Sequence, residues 1–341
     1  MKAAVLTEWK HIELQDVPVP EIGDGECLIR VKCAGLCGSD LHIYEGHHPT
    51  AVTPIVLGHE FVGVVEAVAA REPTDVAVGD RVVAYPLISC GICEACQGGN
   101  WHVCRNLRLL GIHADGGFAE YARVAVDKVV GIGDAVPDRI AALTEPFAVG
   151  FHVNRRAGLK VGDTALVIGG GPVGLTVGMV AKVNGAAQVV FSEINPARVE
   201  LVREFGFGAI NPDQEDAVAR ANELTRGVGF DVVFEVSGSQ PGLSLAAQAC
   251  KIRGTIVTVG FPAGKPAFDV LQVIFKELTV VGSRVYTFGD FKRTVKMLED
   301  IVANDLFAVE KLISEVRCLN ELEIALQTMK AGENRAKILI V

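Results

Sequence analysis

The hydrophobic and polar positions follow two different patterns along the chain. Before about residue 160, short apolar or alternating runs are separated by glycine and proline, for example at residues 3–6, 27–33 and 61–68. Residues 78–84 have the pattern of a glycine turn followed by another strand. Many short strands between glycine turns predict an antiparallel, barrel-like domain.

From about residue 160, the pattern changes to strands that alternate with helices. Apolar runs suited to buried parallel strands recur at residues 164–168, 188–191, 231–236, 254–260 and 278–282. Their spacing of roughly twenty to forty residues suits right-handed crossovers in one parallel sheet. Two helices, at 290–302 and 319–329, and an apolar strand at 337–341 are predicted to follow.

Length, composition and charge limit the classes of protein that need consideration. The 341 residues suit two domains, and with 50% hydrophobic and 21% charged residues the chain can build large cores. A net charge of -9 without a lysine or arginine run argues against nucleic acid and against an anionic membrane as partner. The chain has no apolar stretch long enough for a membrane span, and its first residues lack a signal peptide's apolar core, so we expect a cytoplasmic protein.

Four of the nine cysteines fall within fifteen residues: Cys90, Cys93, Cys96 and Cys104. Four thiolates at gaps of two, two and seven residues can close a tetrahedron around one Zn²⁺ and leave no position for water. An iron–sulfur cluster or disulfides are the alternatives, but a ferredoxin-type run has a different last spacing and usually a proline after its last cysteine. The pattern predicts a structural zinc site in a reducing compartment.

A second set of metal-ligand types lies between residues 37 and 60. Cys37, His59 and Glu60 offer a thiolate, an imidazole and a carboxylate, and three protein ligands with one open position are typical of catalytic zinc. Ser39 and His42 follow the cysteine closely enough to pass a proton from a molecule bound to that metal. The simpler interpretation is a buried free cysteine, a capping serine and surface histidines.

A third motif follows the predicted strand at 164–168. The glycines of Gly169-Gly-Gly171-Pro172-Val173-Gly174 have the G-x-G-x-x-G spacing between a strand and a helix that binds dinucleotides. The first glycine permits the tight turn, the second lets the pyrophosphate approach the backbone, and the third allows the helix to pack closely on the strand. The phosphates would rest on the helix N-terminus that Pro172 begins.

Glu193 stands about twenty residues beyond this turn, at the end of the next strand. Its carboxylate would accept hydrogen bonds from the ribose hydroxyls and repel a 2′-phosphate, which favours NAD over NADP. Arg198, five residues further on, weakens that preference slightly. Glu145 precedes Pro146 at the start of another predicted helix, where the helix dipole favours a carboxylate, and it could be only a capping acid.

Taken in order, Gly58-His59-Glu60-x-x-Gly63, the four cysteines and the G-x-G-x-x-G turn resemble the zinc-dependent medium-chain dehydrogenases over essentially the full length. The resemblance implies a mixed α/β fold with a split GroES-like, β-rich catalytic domain at 1–147 and 285–341. A Rossmann domain at 148–284 would be inserted between the two parts, and the final strand would return to the first sheet. It also implies two zinc ions per chain, NAD, and a homodimer or homotetramer.

The resemblance also assigns roles to single residues. Cys37 and His59 match the catalytic zinc ligands. Glu145 stands where alcohol dehydrogenases have a cysteine and the sorbitol and threonine dehydrogenase branch has glutamate, so the third ligand is Glu60 or Glu145. Ser39 and His42 match the proton-relay positions, and the four closely spaced cysteines match the structural zinc lobe.

Arg284 falls near an arginine that contacts substrate in sorbitol dehydrogenases. Residues 111–118 and 145–148 are most similar to bacterial members that act on sugar acids such as L-gulonate or L-galactonate. We therefore expect an enzyme that transfers a hydride from a secondary hydroxyl of a polyol or sugar acid to NAD⁺. The alternatives are a sorbitol, xylitol, L-threonine or 2,3-butanediol dehydrogenase and, more remotely, a metal- or nucleotide-sensing binding protein.

Overall fold

The computed structural model describes residues 1–72 and 74–341. Its chain divides into two compact units, one formed by Met1–Glu145 with Thr287–Val341 and the other by Pro146–Tyr286. The second unit thus starts two residues before and ends two residues after the insertion that the sequence suggests.

The first part of the first unit is rich in short strands. In chain order these are β1 (Lys2–Glu8), β2 (His11–Asp16), β3 (Glu26–Gly35), β4 (Ile55–Val56), β5 (Glu60–Ala69), β6 (Arg81–Ala84), β7 (Leu87–Ile88), β8 (Arg108–Leu109), β9 (Tyr121–Ala125) and β10 (Val129–Gly131). The helices between them are short: α1 (Gly38–Tyr44), α2 (Glu94–Gln97), α3 (Asp138–Ala141) and the 3-10 helices Trp101–Val103 and Val126–Lys128.

Strands and helices alternate in the second unit, as the sequence predicts. The strands are β11 (Thr164–Ile168), β12 (Gln188–Ser192), β13 (Gly208–Ile210), β14 (Phe230–Glu235), β15 (Cys250–Thr258) and β16 (Thr279–Gly282). The helices are α4 (Thr144–Ala157), which starts in the last two residues of the first unit, α5 (Pro172–Val183), α6 (Pro196–Glu204), α7 (Ala217–Leu224), α8 (Gln240–Ala249) and α9 (Val270–Phe275).

The chain then completes the first unit. It forms α10 (Phe288–Ala303), the 3-10 helix Val309–Leu312, β17 (Ile313–Arg317), the 3-10 helix Leu319–Glu321, α11 (Leu322–Lys330) and β18 (Lys337–Ile340). The helix predicted at 319–329 is therefore a 3-10 turn followed by an α-helix.

β3 is the centre of the main sheet in the first unit. Among the described residues the sheet runs β10-β6-β5-β3-β18-β17, and β9 pairs with the first half of β3. Its pairs are antiparallel apart from β17 with β18. β18 pairs with the end of β3, so the last strand of the chain does return to the first sheet.

The second unit contains a parallel sheet with the order β13-β12-β11-β14-β15-β16 in the described chain. The order reverses between β11 and β14, and a crevice outside the carboxyl ends of strands at such a point is where open α/β sheets bind ligands. Fully buried side chains such as Leu166, Phe230 and Ile256 form the core between this sheet and its helices. This is the Rossmann arrangement expected from the sequence.

No helix in residues 1–72 and 74–341 combines the length and the apolar character that a membrane span requires.

Candidate active site

The pairing of β3 with β5 brings three metal-ligand types together. Gly35 at the end of β3 lies opposite Glu60 at the start of β5. Cys37 follows β3 as the N-cap residue of α1, and His59 directly precedes β5. One ligand atom from each of Cys37, His59 and Glu60 lies within 4.8 Å of the other two. We call these three residues the Cys37 cluster.

The Glu60 carboxylate is held inside the protein by a lysine. Lys337 Nζ donates a hydrogen bond to Glu60 Oε1 at 2.7 Å, and the two side chains are only 4% and 1% exposed. A Cβ on Gly35 would lie 2.3 Å from Glu60 Oε2, so the carboxylate occupies space that only glycine leaves. Burial lowers the pKa of Lys337, but the charges of Glu60 and Cys37 outweigh it and the pKa is raised. The lysine is therefore a buried cation beside the cluster.

His59 is oriented by a buried acid. Asp40 Oδ2 accepts a hydrogen bond from the Cys37 backbone N–H at 2.8 Å, and Asp40 Oδ1 lies 3.6 Å from His59 Nδ1. Burial lowers the pKa of His59, but the negative charges of Asp40 and Cys37 raise it well above its ordinary value. In metal sites, a carboxylate commonly contacts the ring nitrogen of a histidine that does not bind the metal. This contact fixes the orientation of the ring and raises the basicity of the ligand.

The donor set suits Zn²⁺, which accepts thiolate, imidazole and carboxylate ligands. Within the described part of the chain, Glu60 Oε2 is buried without a hydrogen-bond partner. Buried polar atoms nearly always have such a partner, so an unpartnered oxygen at this point is consistent with a place for a metal ion. The residues present fit zinc.

The four closely spaced cysteines also converge. Cys93 Sγ lies 3.5 Å from Cys96 Sγ and 3.9 Å from Cys104 Sγ, and Cys104 Sγ lies 3.4 Å from Cys90 Sγ. Four sulfurs around one zinc ion at about 2.3 Å would be about 3.8 Å apart. All four thiols are free, and these separations are much longer than a disulfide bond. The geometry suits one tetrahedral ion.

Backbone amides favour the thiolate form of two of these four cysteines. Hydrogen bonds from the backbone N–H groups of Arg105 and Cys96 lower the pKa of Cys93 to about 6. The amides of Ile92 and Cys93 lower the pKa of Cys90 in the same way. Thiolate is the form that binds metal, so these amides favour metal binding at neutral pH.

The glycine-rich turn lies between β11 and α5. Gly169 has a φ of +106°, and a Cβ on Gly174 would lie 1.9 Å from the Gly169 carbonyl oxygen. A Cβ on Gly171 would meet only Arg198 Nη1 at 3.8 Å, so space is open in front of this residue. Pro172 and Val173 begin α5, and the first N–H groups of this helix supply a positive end for phosphates. The residues fit a dinucleotide.

Glu193 directly follows β12 and contacts this turn. Its Oε2 accepts from the Gly170 N–H at 2.6 Å, and its Oε1 accepts from the Asn195 N–H at 2.8 Å. The side chain is buried, yet each carboxylate oxygen can accept more than one hydrogen bond. Glu193 is thus fixed beside the phosphate turn with acceptor capacity left for a ribose.

Two family descriptions match the chain. An alcohol dehydrogenase GroES-like domain matches residues 23–134, and a zinc-binding dehydrogenase domain matches residues 172–300. The chain is 36% identical over 317 residues to the 2-dehydro-3-deoxy-L-galactonate 5-dehydrogenase of Pseudoalteromonas atlantica, covering 93% of this chain and 91% of that protein. It is 40% identical over 292 residues to an L-threonine 3-dehydrogenase of Deinococcus deserti, covering 84% and 83%.

Among solved structures, a Sinorhizobium meliloti protein with bound NADP superposes with a TM-score of 0.92 at 32% identity, covering 100% of this chain and 98% of that one. The chain belongs to the zinc-dependent medium-chain dehydrogenases. It is therefore an oxidoreductase of the polyol and sugar-acid type, and its family supports both zinc and a nicotinamide cofactor.

In this dehydrogenase the other candidate ligand, Glu145, lies outside the Cys37 cluster. It is buried in the first turn of α4, and it is close enough for its charge to raise the pKa of Lys337. The structure therefore brings Glu60 to Cys37 and His59, whereas Glu145 acts on Lys337 through its charge.

The candidate relay residues lie on α1. Ser39 is half-buried and His42 is exposed. They are three residues apart on a helix and so lie on the same face. This face leads from Ser39, two residues after Cys37, towards the exposed His42.

Arg284 lies in the second unit, two residues after β16, and its side chain is exposed. The sequence pattern does not single out three buried charged residues: Lys337, Asp40 and Glu235. The available signal was a charged residue within or beside an apolar run, as in Ala336-Lys337-Ile338. Such a residue is almost never fully buried unless it has a partner.

Proposed function

We propose that this dehydrogenase oxidises a secondary hydroxyl of a sugar acid to the ketone with NAD⁺, a hexonate such as L-gulonate or L-galactonate being the best candidate. The observation that carries the proposal is the Cys37 cluster in the same chain as the Gly169–Gly174 turn. A metal site of three mixed ligands and a dinucleotide turn together suit hydride transfer from an alcohol.

Each chain is proposed to hold two zinc ions. Cys37, His59 and either Glu60 or Glu145 hold the catalytic ion, and the proximity of Glu60 to the other two supports Glu60 as the resident third ligand. Cys90, Cys93, Cys96 and Cys104 hold the structural ion.

When bound, zinc would supply a Lewis acid that lowers the pKa of the substrate hydroxyl, and the nicotinamide would supply the hydride acceptor. The chain's own residues then have three tasks. Asp40 and Lys337 keep His59 and Glu60 in place. Ser39 accepts the hydroxyl proton, and His42, on the same face of α1, passes it to solvent. Gly169, Gly171 and Gly174 keep the turn open for the pyrophosphate.

NAD is proposed as the preferred cofactor. The fixed Glu193 carboxylate would accept hydrogen bonds from the adenosine ribose and would repel a 2′-phosphate. Arg198 near Gly171 is the residue that could accommodate NADP, so the preference rests on which of the two charges faces the ribose.

The names of two relatives support the substrate class. The sugar-acid dehydrogenase from Pseudoalteromonas and the L-threonine dehydrogenase from Deinococcus are both similar to this chain, and the substrates in both names carry a carboxylate. A pocket for such substrates needs a cation, and Arg284 is proposed for that role.

A homodimer or homotetramer in the cytoplasm is proposed as the working form. β16 is the outer strand of the parallel sheet in the described chain, and an open edge can pair with another chain. Nearby, α9 exposes Leu271, Ile274 and Phe275, which are 62%, 61% and 77% exposed. Such an apolar patch is typical of an interface, and a two-fold axis would make it self-complementary.

The experiment measures how fast zinc-replete protein oxidises each substrate of a panel, and the signal is the formation of the reduced cofactor. L-gulonate, L-galactonate and other hexonates are compared with sorbitol, xylitol, L-threonine and 2,3-butanediol. A preference for one hexonate that Arg284→Ala reduces supports the proposal. A preference for an uncharged polyol would refute the sugar-acid assignment, and no turnover with zinc and NAD⁺ both bound would favour a sensor.

A further inference from the structure

Glu235 is a buried acid to which the proposed reaction gives no task. It is the last residue of β14, in the interior of the second unit, and only 1% exposed. A buried carboxylate is costly unless it is hydrogen-bonded, so its surroundings show what it does.

The carboxylate closes the turn that follows β14. Its Oε1 accepts from the N–H groups of Ser237 and Gly238, both at 3.0 Å, and from the Ser237 hydroxyl. Its Oε2 accepts from the Gly238 N–H at 3.2 Å. Gly238 has a φ of +65°, which only glycine adopts readily. The turn at 236–239 therefore takes its shape from Glu235.

This turn lies against two neighbouring turns. A Cβ on Gly169 would be 3.2 Å from the Ser237 nitrogen, and a Cβ on Gly260 would be 2.1 Å from the Gly238 nitrogen. The Glu235 backbone carbonyl also accepts from the Gly260 N–H at 3.1 Å. The loops after β11, β14 and β15 thus touch at the carboxyl ends of their strands.

Gly242 in α8 leaves space for the Glu235 carboxylate. A Cβ on Gly242 would lie 2.8 Å from Glu235 Oε1 and 2.5 Å from the Ser237 hydroxyl oxygen. Substitution at either Glu235 or Gly242 would therefore move the same turn.

The turn occupies one side of the point where strand order reverses. A dinucleotide crosses the crevice there, with one mononucleotide half on each side. Glu193 directly follows β12 and so lies on the side of β11–β13. Its proposed contact with the adenosine ribose places the adenosine half of the cofactor on that side. Glu235 lies on the side of β14–β16. The turn that it closes is therefore on the side expected for the nicotinamide half of the cofactor.

We infer that Glu235 is a positioning residue for the nicotinamide half of the cofactor, acting through the Ser237–Gly238 turn and not by touching the cofactor. The inference rests on the proposed dinucleotide site. It makes binding of the nicotinamide half depend on Glu235 much more than binding of the adenosine half.

The test compares two ligands on the full-length protein. NADH binding is measured by its fluorescence, and ADP, which has only the adenosine and phosphate half, is measured by calorimetry. Glu235→Leu is expected to weaken NADH about tenfold, because one disordered residue that must order on binding costs about that factor. ADP affinity should stay within roughly twofold of the wild-type value. Gly242→Ala displaces the same carboxylate from the other side and should give the same pattern.

Two variants separate positioning from general stability. Glu235→Gln keeps an acceptor oxygen for the turn and should restore most NADH affinity. Asp216→Ala removes a cap that accepts from two backbone N–H groups at the start of α7, so it should lower thermal stability without changing NADH affinity.

Unchanged NADH binding in both Glu235→Leu and Gly242→Ala would overturn the inference. Equal weakening of NADH and ADP would also overturn it, because it would show a purely structural role. If the wild-type protein does not bind NADH, the proposed cofactor site itself fails, together with this inference.

Discussion

Lys337→Met removes the cation from the buried pair with Glu60 and keeps most of the side-chain volume. Both partners are at most 4% exposed, so the Glu60 oxygen that accepts from Lys337 Nζ would lose its partner without gaining water. In the metal-free protein, breaking a buried pair by removing one partner costs about 3–5 kcal/mol, since it leaves a charge buried and unpaired.

An exposed pair provides the matched control. Lys296 contacts Asp300 at 3.1 Å on α10, but the two side chains are 71% and 58% exposed. Lys296→Met should therefore lower the free energy of unfolding far less than Lys337→Met does. The two lysine substitutions have the same chemistry and differ in burial.

Urea unfolding followed by tryptophan fluorescence measures both effects. Trp9 and Trp101, the two tryptophans of the chain, lie in the unit that contains Lys337, so the signal reports on that unit. In the double variant with Glu60→Gln, no charge is left unpaired, and the loss should be smaller than in Lys337→Met alone. A loss below about 1 kcal/mol in Lys337→Met would refute the reasoning.

Two further substitutions and one alkylation experiment test the site. Gly35→Ala adds a Cβ 2.3 Å from Glu60 Oε2, so we expect loss of the catalytic zinc but not the structural zinc in metal analysis; full zinc content would contradict this. Glu193→Ala should weaken NAD⁺ more than NADP⁺ in binding titrations, and an unchanged preference would remove its assigned role. In metal-stripped protein, alkylation of Cys93 should stay fast at neutral pH and slow as the pH falls through about 6, because the thiolate is the reactive form. If the alkylation rate already declines near pH 8, the backbone amides do not lower the pKa of this thiol.

Five strands of the parallel sheet could be predicted, because each contains an apolar run in sequence and the glycine spacing requires a turn between a strand and a helix. The three-residue β13 (Gly208–Ile210) was not predicted, because it is too short to show a pattern. β11 and α5 lie where the sequence predicts them. Short α1 could not be predicted in this way, because distant contacts stabilise it. Tyr44 at its end donates a hydrogen bond to Glu323 at 2.7 Å, 279 positions further along the chain.

The candidate metal ligands could be named from residue type, but their supporting residues could not. The alignment of Gly35 with Glu60 depends on two irregularities in the β3–β5 register, which no local pattern reveals. From the sequence alone, Lys337 would be expected to lie exposed at the start of the last strand. Only the pairing of β18 with β3 places it beside Glu60.

The most direct test of the account is Cys37→Ala, measured for zinc content, NADH binding and turnover, with the exposed thiol variant Cys318→Ala as the control. We predict that Cys37→Ala loses one of two zinc ions and all measurable turnover but still binds NADH, whereas Cys318→Ala behaves as the wild type. Turnover retained in Cys37→Ala would contradict the central claim that the Cys37 cluster holds the metal used for catalysis.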